Sequence, residues 1–277
     1  MIIDSHQHFW HYSPDTHDWI GDDMQVLRRD FLPTDLAPIL KQNGVSGCVA
    51  VQASQSLEET DFLLDLAEKH PFILGVVGWV DLQAHDLGKQ LERWQGRSKL
   101  KGFRHVIQDE TDPHFMDQLD FMEGLKTLAM SGYTYDLLIR SDQLKSSINL
   151  VRGLPELHFV LDHIAKPPIA YGEMEPWKSE IRILADFPNV HCKLSGMITE
   201  ADWVTWNQQD LRPYLEVVME AFGPKRLMFG SDWPVCLLAG KYEAAKSVVA
   251  DFISSLSDGE QASIWGENAQ QFYGLKE

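Results

Sequence analysis

Short apolar runs alternate with longer amphipathic stretches along the whole chain, and neither a low-complexity segment nor a Ser/Pro-rich linker interrupts them. Eight of the short runs read as strands: Ile2 to Ser5, Ser46 to Gln52, Ile73 to Val80, Leu100 to Val106, Thr134 to Ile139, His158 to Asp162, Val190 to Leu194 and Arg226 to Phe229. They are rich in β-branched and aromatic residues and mostly continuous in their apolar character, as strands of a buried parallel sheet are. The stretches between them carry helix signals. Ser56-Leu57-Glu58-Glu59 has the form of a capping box ahead of Phe62, Leu63, Leu66 and Ala67, with Pro71 beyond the end. Thr34 is placed to cap a helix that stops at Gly44. Asp142 to Val151 stops at Gly153 and Pro155, Trp177 to Ala185 stops before Pro188, and Leu211 to Phe222 stops at Gly223 and Pro224.

Eight strands with intervening helices in 277 residues predict an α/β protein, a single (β/α)8 TIM barrel over residues 1–277. The rival, a doubly wound open sheet, most often carries a glycine-rich phosphate turn after its first strand. No G-x-G-x-x-G or P-loop pattern occurs, and the first strand runs instead into His6-Gln7-His8.

Composition narrows the partners. With 24 Lys plus Arg against 41 Asp plus Glu, the formal net charge of −17 repels nucleic acid and anionic membrane. A small-molecule substrate is expected instead, and the sequence leaves the oligomeric state open, a homo-oligomer included. The cysteines, Cys48, Cys192 and Cys236, are too scattered for a disulfide framework and form no C-x-x-C pair. The N-terminus lacks a basic region followed by an apolar one, and the longest apolar run, near Phe72 to Val80, is too short to span a bilayer. A cytoplasmic location is the expectation.

A barrel places its chemistry at the C-terminal ends of its strands. His6 and His8, two residues apart, share a face after strand 1. Strand 6 runs into Leu161-Asp162-His163-Ile164-Ala165-Lys166-Pro167, and strand 8 into Phe229-Gly230-Ser231-Asp232-Trp233-Pro234. A lone histidine is commonly a satisfied core residue, and a lone aspartate in such a turn is often a cap. At three strand ends together, His6, His8, His163 and Asp232 form a set able to bind a divalent metal or to hold and deprotonate a water. Arg104, at the end of strand 4, can hold two oxygens at fixed geometry, whereas adjacent His105 must point the other way.

The phrases Asp4-Ser-His-Gln-His-Phe-Trp, Lys101-Gly-Phe-Arg-His, Leu161-Asp-His-Ile-Ala-Lys-Pro, Lys193-Leu-Ser-Gly and Phe229-Gly-Ser-Asp-Trp-Pro resemble the lactonase branch of the amidohydrolase superfamily. The resemblance covers nearly the whole chain and implies a distorted (β/α)8 barrel with hydrolytic chemistry. That branch includes hydrolases of sugar lactones such as L-fuconolactone and L-rhamnonolactone, and of 2-pyrone-4,6-dicarboxylate. It implies Asp232 as general base on water, with His6, His8 and His163 polarising the carbonyl directly or through a metal. Binuclear members carry a bridging lysine or glutamate after strand 4 and a histidine after strand 5. Here strand 4 ends in Arg104-His105, with Lys101 at the wrong end, and strand 5 runs through Tyr135-Asp136-Leu137 to Arg140. The expectation is one weakly bound Zn2+, held by His6, His8, His163 and Asp232, or no metal.

Only Arg104, Arg140 and Lys166 supply positive charge near strand ends, too little for a dicarboxylate, so a neutral sugar lactone is the expected substrate. Arg104 and Lys166 are expected to orient it. Trp10, Trp79 and Trp233 stand at or just past strand ends, where an indole could cover a sugar ring, although core packing would explain each equally well. Glu200, Asp202 and Trp203 follow strand 7 and read by default as a solvated loop. Ser195 lacks a G-x-S-x-G frame, and Cys236 has no partner for thiol chemistry. The alternatives are a metal-dependent decarboxylase of the same superfamily, a pyrone-dicarboxylate lactonase, and a carbohydrate-binding barrel without catalysis.

Overall fold

The computed structural model describes residues 1–276. Eight strands lie in one sheet in chain order: β1 Ile3–Gln7, β2 Gly47–Val51, β3 Ile73–Gly78, β4 Leu100–Val106, β5 Thr134–Leu138, β6 Phe159–Leu161, β7 Val190–Leu194 and β8 Leu227–Phe229. Every neighbouring pair is parallel. The sheet closes where β1 meets the segment after β8. Gln7 bridges Trp233, the Asp232 amide donates to His6 O at 2.8 Å, and the His8 amide donates to Trp233 O at 2.7 Å. This is the (β/α)8 barrel that the apolar pattern predicts.

Helices α1 Pro33–Gln42, α2 Leu57–Lys69, α3 Leu87–Glu92, α4 Leu119–Met130, α5 Leu144–Arg152, α6 Trp177–Ala185, α7 Gln208–Phe222 and α8 Tyr242–Ile253 surround the sheet. Two short ones, α9 Asp258–Ala262 and α10 Asn268–Tyr273, complete the chain. The caps differ in part from expectation. The α1 cap is not Thr34: Asp35 accepts the Leu32 amide at 2.9 Å, and Pro33, which has no amide hydrogen to lose, starts the helix. Ser56 caps α2 through the Glu59 amide at 3.1 Å, but the Glu59 carboxylate does not close the box. It accepts the amides of Ala53 and Ser54 instead, at 2.5 and 2.6 Å. Helix α7 starts a turn earlier than Leu211 because Asn207 accepts the Gln209 amide at 2.9 Å. Among the described residues no helix is long and apolar enough to cross a membrane.

The barrel interior is layered. Val49, Val51, Val77, Val160 and Met228 pack together inside, closed from below by Tyr273 and Leu275. Each such side chain contributes roughly 1.5–3 kcal/mol by leaving water. Above them the interior turns polar, with buried His6, Arg104, Asp136, Asp162 and Lys193. The opposite faces of the same strands, including Phe103, Leu137, Phe159, Leu194 and Phe229, pack against the helices. His105 follows that outer face, stacking on Phe115 at 4.8 Å, as its adjacency to Arg104 required.

Strand β1 runs through Gln7, beyond the expected end at Ser5, and its register explains how. Ile3 and Asp4 pair with Gly47 and Cys48, yet Gln7 pairs with Ala50, so β1 carries one extra residue. The bulge reverses the side-chain alternation. Ile3 joins the interior cluster, Asp4 faces Tyr242 of α8, and His6, two residues later, nevertheless turns inward.

The segment after β6 is strained. His163, Ile164, Ala165 and Lys166 all have positive φ, between 45° and 62°, a left-handed turn built without glycine. Such residues cost roughly 1–2 kcal/mol each. The turn is held by the Lys166 amide on His163 O at 2.8 Å and by the Trp177 indole on Ile164 O at 2.8 Å. Ala165→Gly should therefore leave urea-denaturation stability unchanged or raise it by up to about 1 kcal/mol, since relief at φ 62° offsets one lost methyl of ~0.8 kcal/mol. A loss above about 1 kcal/mol would show that the turn stores no strain.

Candidate active site

The barrel closure brings the strand-end residues into one cluster. His8 Nε2 lies 3.4 Å from Asp232 Oδ1, and the Nε2 atoms of His6 and His163 each lie 3.8 Å from the same oxygen. His6 and His8 approach each other at 3.2 Å between their Nε2 atoms. The far edges of two rings are tethered: His8 Nδ1 donates to Val51 O at 2.7 Å, and His163 Nδ1 pairs with Ser195 Oγ at 2.9 Å. Their Nε2 atoms therefore face Asp232.

Glycines permit the approach. A Cβ on Gly196, whose φ is 65°, would fall 2.4 Å from His163 Nδ1, and one on Gly230 would fall 2.7 Å from His6 Cβ. Asp4, from outside the barrel, ties β1 to the Asp232 loop by accepting the Ser231 amide at 2.9 Å, the Ser231 hydroxyl at 2.6 Å and the Tyr242 hydroxyl at 3.0 Å.

Beneath the imidazoles lies a buried ionic network. Asp162 pairs with Arg104 Nη1 and Lys193 Nζ, both at 3.0 Å, and lies 3.2 Å from His6 Nδ1. Lys193 also donates to Asp136 at 2.5 Å and contacts His6 Nδ1 at 3.1 Å. Arg104 reaches the carbonyl and side-chain oxygens of Gln52 and lies 3.3 Å from His6 Nε2. Removing one partner of such a network leaves a bare buried charge, which costs roughly 3–5 kcal/mol. Burial pushes His6 well down and His163 to about 4, so both are neutral imidazoles near neutral pH. Burial acts against the charge of Asp232 too, but the surrounding imidazoles of His163, His8 and His6 outweigh it and hold its carboxyl below the usual range.

These groups open onto a cavity of about 330 Å³, at the small end of ligand sites. Its lining includes His8, Arg104, His163 and Asp232 with Trp19 and Trp203. Lys166 and Glu200 also line it, 3.6 Å apart. The indoles expected there are elsewhere. Trp10 is buried against Phe31 with its N–H on Arg29 O at 2.9 Å. Trp233 is buried between Phe9 and Phe31, and the Trp79 backbone is fastened to Thr60. Each follows a strand, Trp10 and Trp233 turn their rings into the surrounding packing, and none of the three lines the cavity. Glu200 and Trp203 are cavity walls, whereas Asp202 is exposed and accepts the Val204 and Thr205 amides. Arg140 pairs on the surface with Asp109.

Several residues escaped the sequence reading. Asp162 and Lys193 stand inside recognisable phrases, and a lysine within an apolar strand was the available signal. Trp19 and Gln52 gave none, because only the tertiary structure brings Trp19 to the cavity wall and Gln52 to the Arg104 guanidinium.

A family model described as amidohydrolase matches residues 3–275. The chain belongs to the amidohydrolase family. This amidohydrolase is 43% identical over 289 aligned positions to an L-fucono-1,5-lactonase of Burkholderia multivorans, covering 100% of this chain and 97% of that one. It is 36% identical to an L-fucono-1,5-lactonase of Burkholderia ambifaria, covering 98% and 94%. A crystal structure of an amidohydrolase from Burkholderia multivorans with bound zinc superimposes with a TM-score of 0.97 at 42% identity, over all of both chains.

The donor set suits a divalent ion. Ligand atoms of His6, His8 and Asp232 lie within 4.8 Å of one another, and the tethered His8 ring presents a bare nitrogen to that point. Gly196→Ala should lower turnover at least tenfold by displacing His163, with the circular dichroism spectrum retained. Unchanged turnover would mean that the position of His163 does not matter.

Proposed function

We propose that this amidohydrolase hydrolyses the ester bond of a neutral sugar lactone, of the L-fuconolactone or L-rhamnonolactone kind, to the open-chain acid. The observation that carries the reading is the Asp232 carboxylate, set 3.4 to 3.8 Å from three imidazole nitrogens at a cavity floor. The L-fucono-1,5-lactonase names of two near-full-length relatives support it.

Lactone hydrolysis needs an activated water, a polarised carbonyl and a proton for the leaving alkoxide. Asp232 takes a proton from water as the water oxygen bonds to the carbonyl carbon and the carbonyl electrons move onto oxygen. The negative oxygen that develops is stabilised by Arg104, while His6, His8 and His163 orient Asp232 and would polarise the carbonyl through a bound cation. Collapse breaks the bond to the ring oxygen, and Asp232 returns its proton there, freeing the hydroxy acid. A Zn2+ ion held by His6, His8, His163 and Asp232 would add Lewis-acid polarisation and acidify water. With Arg104 and His105 near the end of β4, where a bridging ligand would stand, the residues would hold at most one ion.

Charge in the cavity favours a neutral substrate. Arg104 is neutralised by Asp162, Lys166 by Glu200 and Asp109 by Arg140, while Asp232 adds negative charge to the lining. No uncompensated cation remains among these lining residues for a dicarboxylate. Trp19 and Trp203, in place of the three indoles first expected, supply flat apolar surface for a sugar ring. The three buried free thiols suit a reducing cytoplasm.

A panel of aldonolactones assayed by proton release should yield turnover, with 2-pyrone-4,6-dicarboxylate turned over far more slowly. Asp232→Asn should cut kcat/KM by about 10²–10⁴. Proton release that survives in the variant removes Asp232 from the role of base. Failure with every aldonolactone, or preference for the dicarboxylate, overturns the substrate class.

A further inference from the structure

Two charged side chains face the cavity from neighbouring loops and take no part in the mechanism. Lys166 follows His163 in the left-handed turn after β6, and Glu200 stands in the loop after β7. Both line the cavity, and each side chain is 24% exposed, so a small molecule can reach the charged ends. Their backbones are fixed. The Lys166 amide donates to His163 O at 2.8 Å, the Glu200 carbonyl accepts the Ala170 amide at 3.0 Å, and the Glu200 amide donates to Met197 O at 3.3 Å. The Trp203 indole, another cavity wall, is fastened to the same loop through Thr199 O at 2.8 Å.

The pair is spaced for a third group. Lys166 Nζ and Glu200 Oε1 are 3.6 Å apart, beyond hydrogen-bond distance, and neither charged end meets another polar side chain of the described residues within that distance. An ammonium has three hydrogens to donate, and a carboxylate only accepts. A hydroxyl satisfies both, since its oxygen accepts from Lys166 while its hydrogen goes to Glu200. With contacts of about 2.8 Å to each end, the hydroxyl oxygen closes a triangle over the gap. An ether or carbonyl oxygen would leave Glu200 without a donor, and a carboxylate would be repelled by it.

We infer that Lys166 and Glu200 together bind one ring hydroxyl of the lactone, and that this pair sets the preference for hydroxylated lactones over bare ones. The inference rests on the lactone reading of the cavity and names the residues that select within that class. The hydroxyl they hold lies away from the ester, so the pair contributes to the choice of substrate and not to proton transfer. Hydrogen bonds to charged groups contribute more than neutral ones, and a substrate without the hydroxyl leaves both charged ends without a partner.

The test compares turnover of the best aldonolactone with that of δ-valerolactone, a ring ester without hydroxyls, in the wild type, Glu200→Gln and Lys166→Met. Each variant should lose at least about tenfold more kcat/KM on the aldonolactone than on δ-valerolactone. Equal losses on both would show that the pair only shapes the wall, which overturns the inference and leaves the lactonase reading intact. No turnover of any lactone by the wild type removes that reading and the inference with it. Monodeoxy aldonolactones then locate the hydroxyl. In the wild type one of them should be turned over at least about tenfold more slowly than its parent, and on that one the loss in Glu200→Gln should be about tenfold smaller than on the parent. A series in which no single hydroxyl matters overturns the inference. Should either variant fail to fold by circular dichroism, Lys166→Gln or Glu200→Ala takes its place in the same comparison.

Discussion

The closure of the barrel is the constraint on which the rest depends. A parallel sheet of eight strands leaves no edge only if β1 meets β8, and here the seam continues past β8 through the backbone of His6, His8, Asp232 and Trp233. The hydrogen bonds that complete the cylinder therefore also set Asp232 against two imidazoles. Stability and chemistry share the same bonds, so the cluster is as rigid as the fold. Asp4 reinforces the seam from the helix side, and the bulge in β1 lets Asp4 face out while His6 faces in.

The second constraint is electrostatic. Arg104, Lys193, Asp136 and Asp162 are all buried inside the barrel, where an unpaired charge is intolerable and a paired one is at best neutral in its effect on stability. Replacing such a layer with valine would be easier to fold. The layer instead brings a donor, Lys193, and an acceptor, Asp162, to the same nitrogen of His6, and it cancels the guanidinium charge at the cavity floor. That cancellation suits the neutral substrate proposed for the site.

The element pattern was legible because strands and helices bury different periodicities. Continuous apolar runs bounded by glycine and proline located all eight strands, with shifts of one or two residues at most ends. Helix starts were less legible: Thr34 and Leu211 lost to Asp35 and Asn207, because a cap is decided by which side chain reaches a free amide. The four residues of the central cluster stand in ordered phrases after strands, so their convergence could be argued from the fold class. The cavity walls could not. Trp10, Trp79 and Trp233 follow strands as closely as any wall residue would, yet side-chain direction after a strand depends on the loop that folds over it.

By itself, the sequence determined the barrel class, the four polar groups at three strand ends and the absence of bridging ligands after strands 4 and 5. These are properties of residue type and order, which periodicity and covalent spacing express directly. Only the tertiary structure decided that Trp19, Trp203 and Glu200 wall the cavity. It alone revealed that a bulge turns His6 inward, and that Lys193 and Asp162 meet at one nitrogen of its ring. Such facts depend on contacts between distant segments, and the local pattern along a chain carries no information about which distant segment will arrive.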